Sequence, residues 1–310
     1  MRRVELKRDG AWLGLPTISG EMLLVIRLPL DRIDSEGLLR PDHPAWPARG
    51  QLSLPDGRSV PLTGLTQNPF LAGDITRLDP LTVAQVGPQE VVVTYAGGDL
   101  KADSRWSVSP AGDLKMEVGL TAPSDGFYSI GFSSFNPIRK KDMAAVQLPP
   151  LYQYQRLPAT PSVLTSAITP NPMALIQQDL SGNAVTWGVA GEPGDLPFRW
   201  SSRTNAVYAF GLLNAWGDVQ ASVFEPVLGF EGSARKAGER VQARFRLIAT
   251  PGDWKSGLDM VARGIFGVRD YRKPVNVSLT AAVRNMKRLM EDDAASGWDG
   301  AKLGFYDIET

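Results

Sequence analysis

Cysteine is absent from the 310 residues, histidine occurs once, and neither sign of charge is in excess, with Lys+Arg and Asp+Glu both at 33. Without cysteine the chain has no disulfides, thiolate nucleophiles or Cys-based zinc sites. One histidine excludes a metal site built from converging imidazoles, and a Ser-His-Asp triad would have to use His43. That residue lies in Pro41-Asp42-His43-Pro44, where two prolines favour an extended surface loop. Balanced charge gives no general attraction for phosphate backbones or anionic lipid, so nucleic acid is not an expected partner. The short runs Arg2-Arg3 and Arg139-Lys140-Lys141 read as solvated surface.

Long apolar runs are missing as well. No segment reaches the roughly 18 uninterrupted apolar residues of a membrane span. The N-terminal MRRVELKRDGAWLG has basic residues but no apolar stretch behind them, so the expectation is a soluble chain with no signal peptide, periplasm and cytoplasm both open. Neither Gly-x-Gly-x-x-Gly ahead of a helix nor a Walker-type Gly-Lys-Ser/Thr occurs, so no nucleotide cofactor is expected. Asp31, Asp34 and Glu36 lack EF-hand spacing, and no metal site is assigned.

What the chain does have is 43% hydrophobic and 21% charged residues, the composition of a folded domain. Through about residue 250, short apolar or alternating runs are divided by Gly, Pro, Asp and Asn, which predicts a mainly β fold, a large antiparallel sandwich. The clearest strands are expected at 22–28, 51–54, 58–62, 81–86, 90–95, 114–120, 128–132, 185–189, 207–213, 219–224 and 240–249. Turns at Pro55-Asp56-Gly57, Ala96-Gly97-Gly98-Asp99 and Pro110-Ala111-Gly112-Asp113 predict up-and-down pairing of neighbouring strands. In Arg240–Leu247 strict alternation places Val241, Ala243, Phe245 and Leu247 on a buried face and the arginines on the other. Between Phe135 and Pro172, seven prolines predict a long loop or extended excursions carrying Arg139, Lys140, Tyr152, Gln153, Tyr154 and Arg156. Such a segment either clamps a neighbouring domain or touches a ligand.

After residue 250 the period lengthens. Asp253 is placed to cap a helix with Trp254, Leu258, Val261 and Ile265 on one face, ending near Gly267. A second helix is expected from about Val275 to Glu291, with Leu279, Val283, Met286, Leu289 and Met290 in phase and Pro274 suited to its first turn. Two helices cannot enclose a core of their own, so either they pack back on the sandwich or a helical domain begins here and stops unfinished at Thr310; continuation is the expectation. The expected division is a sandwich over 1–250, a linker with helix over 251–273, and the start of a helical domain over 274–310. If partner helices are missing, the stripe of Leu279, Val283 and Met286 should be partly uncovered.

This order of parts, with Glu225-Pro226-Val227-Leu228-Gly229-Phe230-Glu231-Gly232 closing the sandwich and Pro251-Gly252-Asp253-Trp254 before the helices, resembles the N-terminal β-supersandwich, galactose-mutarotase-like, of bacterial glycoside hydrolases with a six-hairpin (α/α)6 barrel. The resemblance implies a carbohydrate partner, a following barrel in the same polypeptide, and an accessory role for this chain beside a barrel that carries the acid and base. No catalytic residue is therefore assigned. The alternative is a non-catalytic glycan-binding or domain-scaffolding module. Mutarotase chemistry of the sandwich itself would need histidines as acid and base, and one loop histidine does not supply them.

Candidate substrate contacts are Arg139, Tyr154 and Arg156 on the proline-rich segment and Trp298, Asp299, Tyr306, Asp307 and Glu309 near the C-terminus. Sugars stack on aromatic rings and hydrogen-bond to carboxylates, and these residues combine both. Asp and Glu at helix ends also serve as caps. Trp12, Trp46, Trp106, Trp187, Trp200 and Trp216 fill a wide core or form a sugar platform.

Overall fold

The computed structural model describes residues 3–8, 11–16, 23–29, 50–53, 59–62, 66–67, 70 and 73–305, except 135–136, 168, 170, 181, 197–205, 230–231, 270–277 and 293–297. Two units are present, Met1–Val268 and Arg269–Thr310.

In the first unit the early strands are β1 (Arg3–Arg8), β2 (Ala11–Pro16), β3 (Leu23–Pro29), β4 (Gly50–Ser53), β5 (Ser59–Leu62), β6 (Thr66–Gln67) and β7 (Asp74–Arg77). A run of long strands follows: β8 (Asp79–Gly87), β9 (Glu90–Gly97), β10 (Leu100–Val108), β11 (Leu114–Thr121) and β12 (Gly126–Ser133). Then come β13 (Met143–Leu148), β14 (Tyr152–Tyr154), β15 (Val163–Thr165), β16 (Met173–Leu180) and β17 (Asn183–Gly191). The last are β18 (Ala209–Leu213), β19 (Val219–Glu225), β20 (Ala234–Arg235) and β21 (Arg240–Pro251). Nine strands form one sheet in the order β14-β13-β16-β17-β21-β11-β10-β9-β8, and the other large sheet runs β6-β15-β18-β19-β12-β3-β7 with β20 beside β12. Every pairing described is antiparallel, β4–β5 included, which joins the runs flanking Pro55-Asp56-Gly57.

The two sheets face each other across a core that follows from the period-two pattern. Val241, Ala243, Phe245 and Leu247 are at most 2% exposed, while Arg240, Gln242 and Arg244 between them point outward. Phe132 of β12 bridges the layers, edge-on to Trp106 at 5.5 Å and stacked with Phe245 at 6.2 Å. Trp106 is thus core, Trp187 is partly buried against it, and Trp216 stands half exposed under the Arg77 guanidinium at 3.9 Å. Hairpins β8 to β11 run up and down as their turns predict, but β21 inserts between β11 and β17, and its pairing with β11 joins residues 119 to 133 apart, which no local signal carries.

Of the two expectations for the proline-rich stretch, a long loop or extended excursions, the extended form is the one present. Instead of a loop it supplies β13 and β14 to the edge of the nine-stranded sheet and β15 to the other. Its prolines fall between strands: Pro149-Pro150 link β13 to β14, Pro158 and Pro161 separate β14 from β15, and Pro172 precedes β16. Proline breaks a ladder only where its missing N–H is needed, and here it marks ends.

The helical turn at Trp254–Asp259 starts as the sequence requires, with the Asp253 carboxylate accepting from Lys255 N at 3.1 Å and Ser256 N at 3.2 Å. It continues as a π-helical segment, Met260–Ile265, and ends before Gly267 at φ 65°. Val261, with Leu258 and Ile265 beside it, covers Met173, Leu175, Ala190 and Ile248 on the outer face of the nine-stranded sheet. Burying Val261 there stabilises the docking by about 1.5–3 kcal/mol.

The second unit has a helix at Leu279–Glu291, capped by the Ser278 hydroxyl accepting from Ala281 N at 3.1 Å, and a hairpin of β22 (Trp298–Asp299) and β23 (Gly304–Phe305). None of the helix's residues is buried, and Leu279, Val283 and Met286 are 82%, 58% and 65% exposed. Pro274 lies outside the described residues, as do His43, Asp31, Asp34, Glu36, Trp46 and Trp200. Among the described residues no helix is long and apolar enough to cross a membrane.

Candidate functional site

Strand β21 is longer than its neighbour. The β17 ladder ends at Gly191↔Phe245, so residues 240–244 pair with β11 alone and their other edge is open. On the outward face, register sets Arg105, Glu117 and Arg244 in one row across β10, β11 and β21, and Asp103, Gly119 and Gln242 in the next. Alternating charges in the first row suit directly opposed cross-strand neighbours. In the second row a Cβ on Gly119 would come 2.4 Å from a guanidinium nitrogen of Arg240. Glycine leaves the space in which that side chain lies across the sheet, where its Nη2 donates to both oxygens of Asp103 at 2.8 and 2.9 Å. These side chains wall a cleft of about 570 Å³, closed on one side by Glu225 from the end of β19.

Glu225 meets the open edge of β21 directly. Its Oε2 accepts the Arg244 backbone N–H at 2.5 Å, the donor that a longer β17 would have satisfied. The Tyr208 hydroxyl is also in hydrogen-bonding contact with this carboxyl. It lies 2.8 Å from Asp195 Oδ2 and 3.0 Å from the Arg244 carbonyl, both acceptors, and itself accepts from Glu192 N at 3.2 Å. The ring fits because residue 191 is glycine; a Cβ there would sit 2.8 Å from it. Burial pushes the Glu225 carboxyl up to about 8, Arg244 N–H and Tyr208 pull it down, and the charge of Glu192 raises it further. Burial also raises Tyr208 strongly, assisted by the charge of Glu225. Burial thus works against the charged form of the carboxyl that borders the cleft.

Behind Glu225 the network is ionic. Arg244 is in direct ion contact with Asp195, and Arg246 joins Glu192 at 2.9 and 3.0 Å to Asp113 at 3.0 Å. Burial works against the charge of Arg246, but hydrogen bonds to Glu192 and the charge of Asp113 raise its pKa on balance. Among the described residues no group of three or more His, Asp or Glu is arranged to hold a metal ion.

The residues singled out from the sequence lie elsewhere. Arg139 lines a second cleft of about 310 Å³ with Lys140, Leu157, Pro158 and Asp218, and its Nε contacts Asp142 at 2.6 Å. Tyr154 ends β14 at φ 57°, 61% exposed, with its ring edge-on to Trp254 at 5.9 Å. Arg156 is exposed in the turn behind it. Neither Tyr154 nor Arg156 lines either cleft. Trp298 and Asp299 form β22, and the Asp299 carboxylate accepts from Ala301 N at 2.9 Å and Lys302 N at 3.2 Å, organising the hairpin turn. Tyr306, Asp307 and Glu309 fall outside the described residues. The cleft residues gave weaker signals: the outward arginines of β21 were legible, whereas Glu225 was one acidic residue in a closing stretch.

No protein-family profile matches the sequence, and no curated protein matches it. Among solved structures, the chain is similar to a GalM/aldose epimerase homologue from C. elegans at 9% identity, covering 81% of this chain and 92% of that one, with a TM-score of 0.30. A TPR-domain containing protein from Parabacteroides distasonis aligns at 8% identity and TM-score 0.28, over 75% of this chain and 44% of that one. The fold itself is a mainly β unit of two large antiparallel sheets.

Proposed function

We propose that this chain handles carbohydrate, and that the cleft across β10, β11 and β21 is the surface that holds the sugar. In this reading it is the N-terminal sandwich of a glycoside hydrolase, bordering the active site of a following helical barrel that begins within 274–310. Arg139, Tyr154, Arg156, Trp298, Asp299, Tyr306, Asp307 and Glu309 are further proposed contacts. The observation that carries the reading is the cleft itself: Arg240, Gln242, Arg244, Glu117 and Asp103 present fixed donors and acceptors from a rigid sheet face, with the Glu225 carboxyl at its border. A polyhydroxylated ligand needs many such groups held in place, and strands hold them better than loops.

A second reading, a scaffold that supports a neighbouring domain without touching sugar, is favoured by the exposed stripe of Leu279, Val283 and Met286. Calorimetric titration of the chain with a panel of plant and bacterial oligosaccharides separates the two. Carbohydrate handling predicts binding of at least one glycan, weakened tenfold or more, about 1.4 kcal/mol, by Arg240→Ala with Gln242→Ala. Binding unaffected by that double change moves the site elsewhere; no binding leaves the scaffold.

A further inference from the structure

The charges around the cleft are matched almost one to one. Arg240 is held by Asp103 at 2.8 Å, Arg105 by Glu90, Arg244 by Asp195, and Lys115 by Glu117 at 2.9 Å. Four cations thus face four carboxylates. Just behind them Arg246 is set against two, Glu192 and Asp113, so the neighbourhood carries no positive excess even with Glu225 neutral. Such a field does not draw an anion in. An anionic ligand arriving at Arg240 must compete with a carboxylate already in place, next to the further negative charge of Glu117.

A neutral polyol meets no such obstacle. A guanidinium has five N–H donors, and the contact with Asp103 uses one nitrogen of Arg240, leaving the others available. An ionised carboxylate has about four lone-pair sites, more than one ion pair fills. Gln242 adds an uncharged amide that both donates and accepts. Sugar hydroxyls, which also donate and accept, fit this mixture without breaking any ion pair.

Resting on the carbohydrate reading above, we propose that the cleft takes an uncharged, hydroxyl-rich glycan segment and discriminates against uronate-bearing or sulfated ones. The test titrates the whole chain with neutral oligosaccharides and with uronate-containing oligosaccharides of matched length, at low salt where attraction of an anion is greatest. The expected result is binding of a neutral glycan with uronates at least tenfold weaker, and little change on adding salt. Asp103→Asn, at a side chain 56% exposed, releases Arg240 from its counter-charge and should improve uronate binding about tenfold, with circular dichroism verifying the fold. Wild-type preference for uronates overturns the inference while leaving the carbohydrate reading intact, as does an Asp103→Asn chain with unchanged selectivity. Absence of glycan binding in every arm overturns the reading and the inference together.

Discussion

Raising the pH from 5 to 9 removes the proton that the folded chain keeps on Glu225, and stability should fall with it. The unfolded carboxyl titrates at 4.5 and the folded one at about 8, because burial raises it. The folded state thus binds the proton more tightly, so the stabilisation is complete below pH 4.5, declines through the interval and is lost above pH 8. At about 1.4 kcal/mol per pH unit the full difference is about 4–5 kcal/mol. Water reaching the partly exposed residue reduces this to about 2–4 kcal/mol. Glu225→Gln keeps a carbonyl oxygen for the Arg244 N–H and loses the titration. Urea or thermal unfolding of both proteins at matched pH values isolates the effect. The variant should gain on the wild type between pH 5 and 9, by roughly 4–7 °C in Tm for a domain of this size. Parallel stability profiles across that range would refute the assignment of a raised carboxyl to this position.

Two further outcomes follow from the packing. Arg246→Ala leaves Glu192 and the wholly buried Asp113 side chain without their shared cation and should cost about 3–5 kcal/mol in urea unfolding, with Arg246→Lys recovering part of it. Val261→Asp sets an unpaired charge against Leu175 and Ile248, so the 254–265 helix should undock, seen as faster hydrogen exchange there while β9–β11 remain protected.

Legibility in the sequence tracked how much of a residue's environment its neighbours in the chain provide. Strand β21 was plain because four apolar residues alternate with three arginines and a glutamine, and the Asp253 cap because capping is local. Strand β10 is not legible, because Ser104 interrupts its inward face; its hydroxyl is satisfied by donating across to Tyr95 Oη of β9 at 3.2 Å and accepting from Trp106 Nε1 of its own strand at 2.8 Å. Strands β13 to β15 were hidden by prolines that proved to separate strands rather than prevent them. The cleft was half visible, since alternation exposes Arg240, Gln242 and Arg244, but nothing near Glu225 in the chain foretells its meeting with Tyr208 and Arg244.

The sequence by itself determined the class of fold, the exclusion of thiol and imidazole-cluster chemistry, and the helical change after residue 250, because composition, period and caps act over a few residues. Tertiary structure alone decided that β21 lies between β11 and β17, that β17 stops short of it, and that the exposed edge collects Glu225, Tyr208 and Asp195. Strand order and the burial of one carboxyl depend on contacts between residues far apart in the chain. Those contacts exist only once the two sheets have closed on their common core.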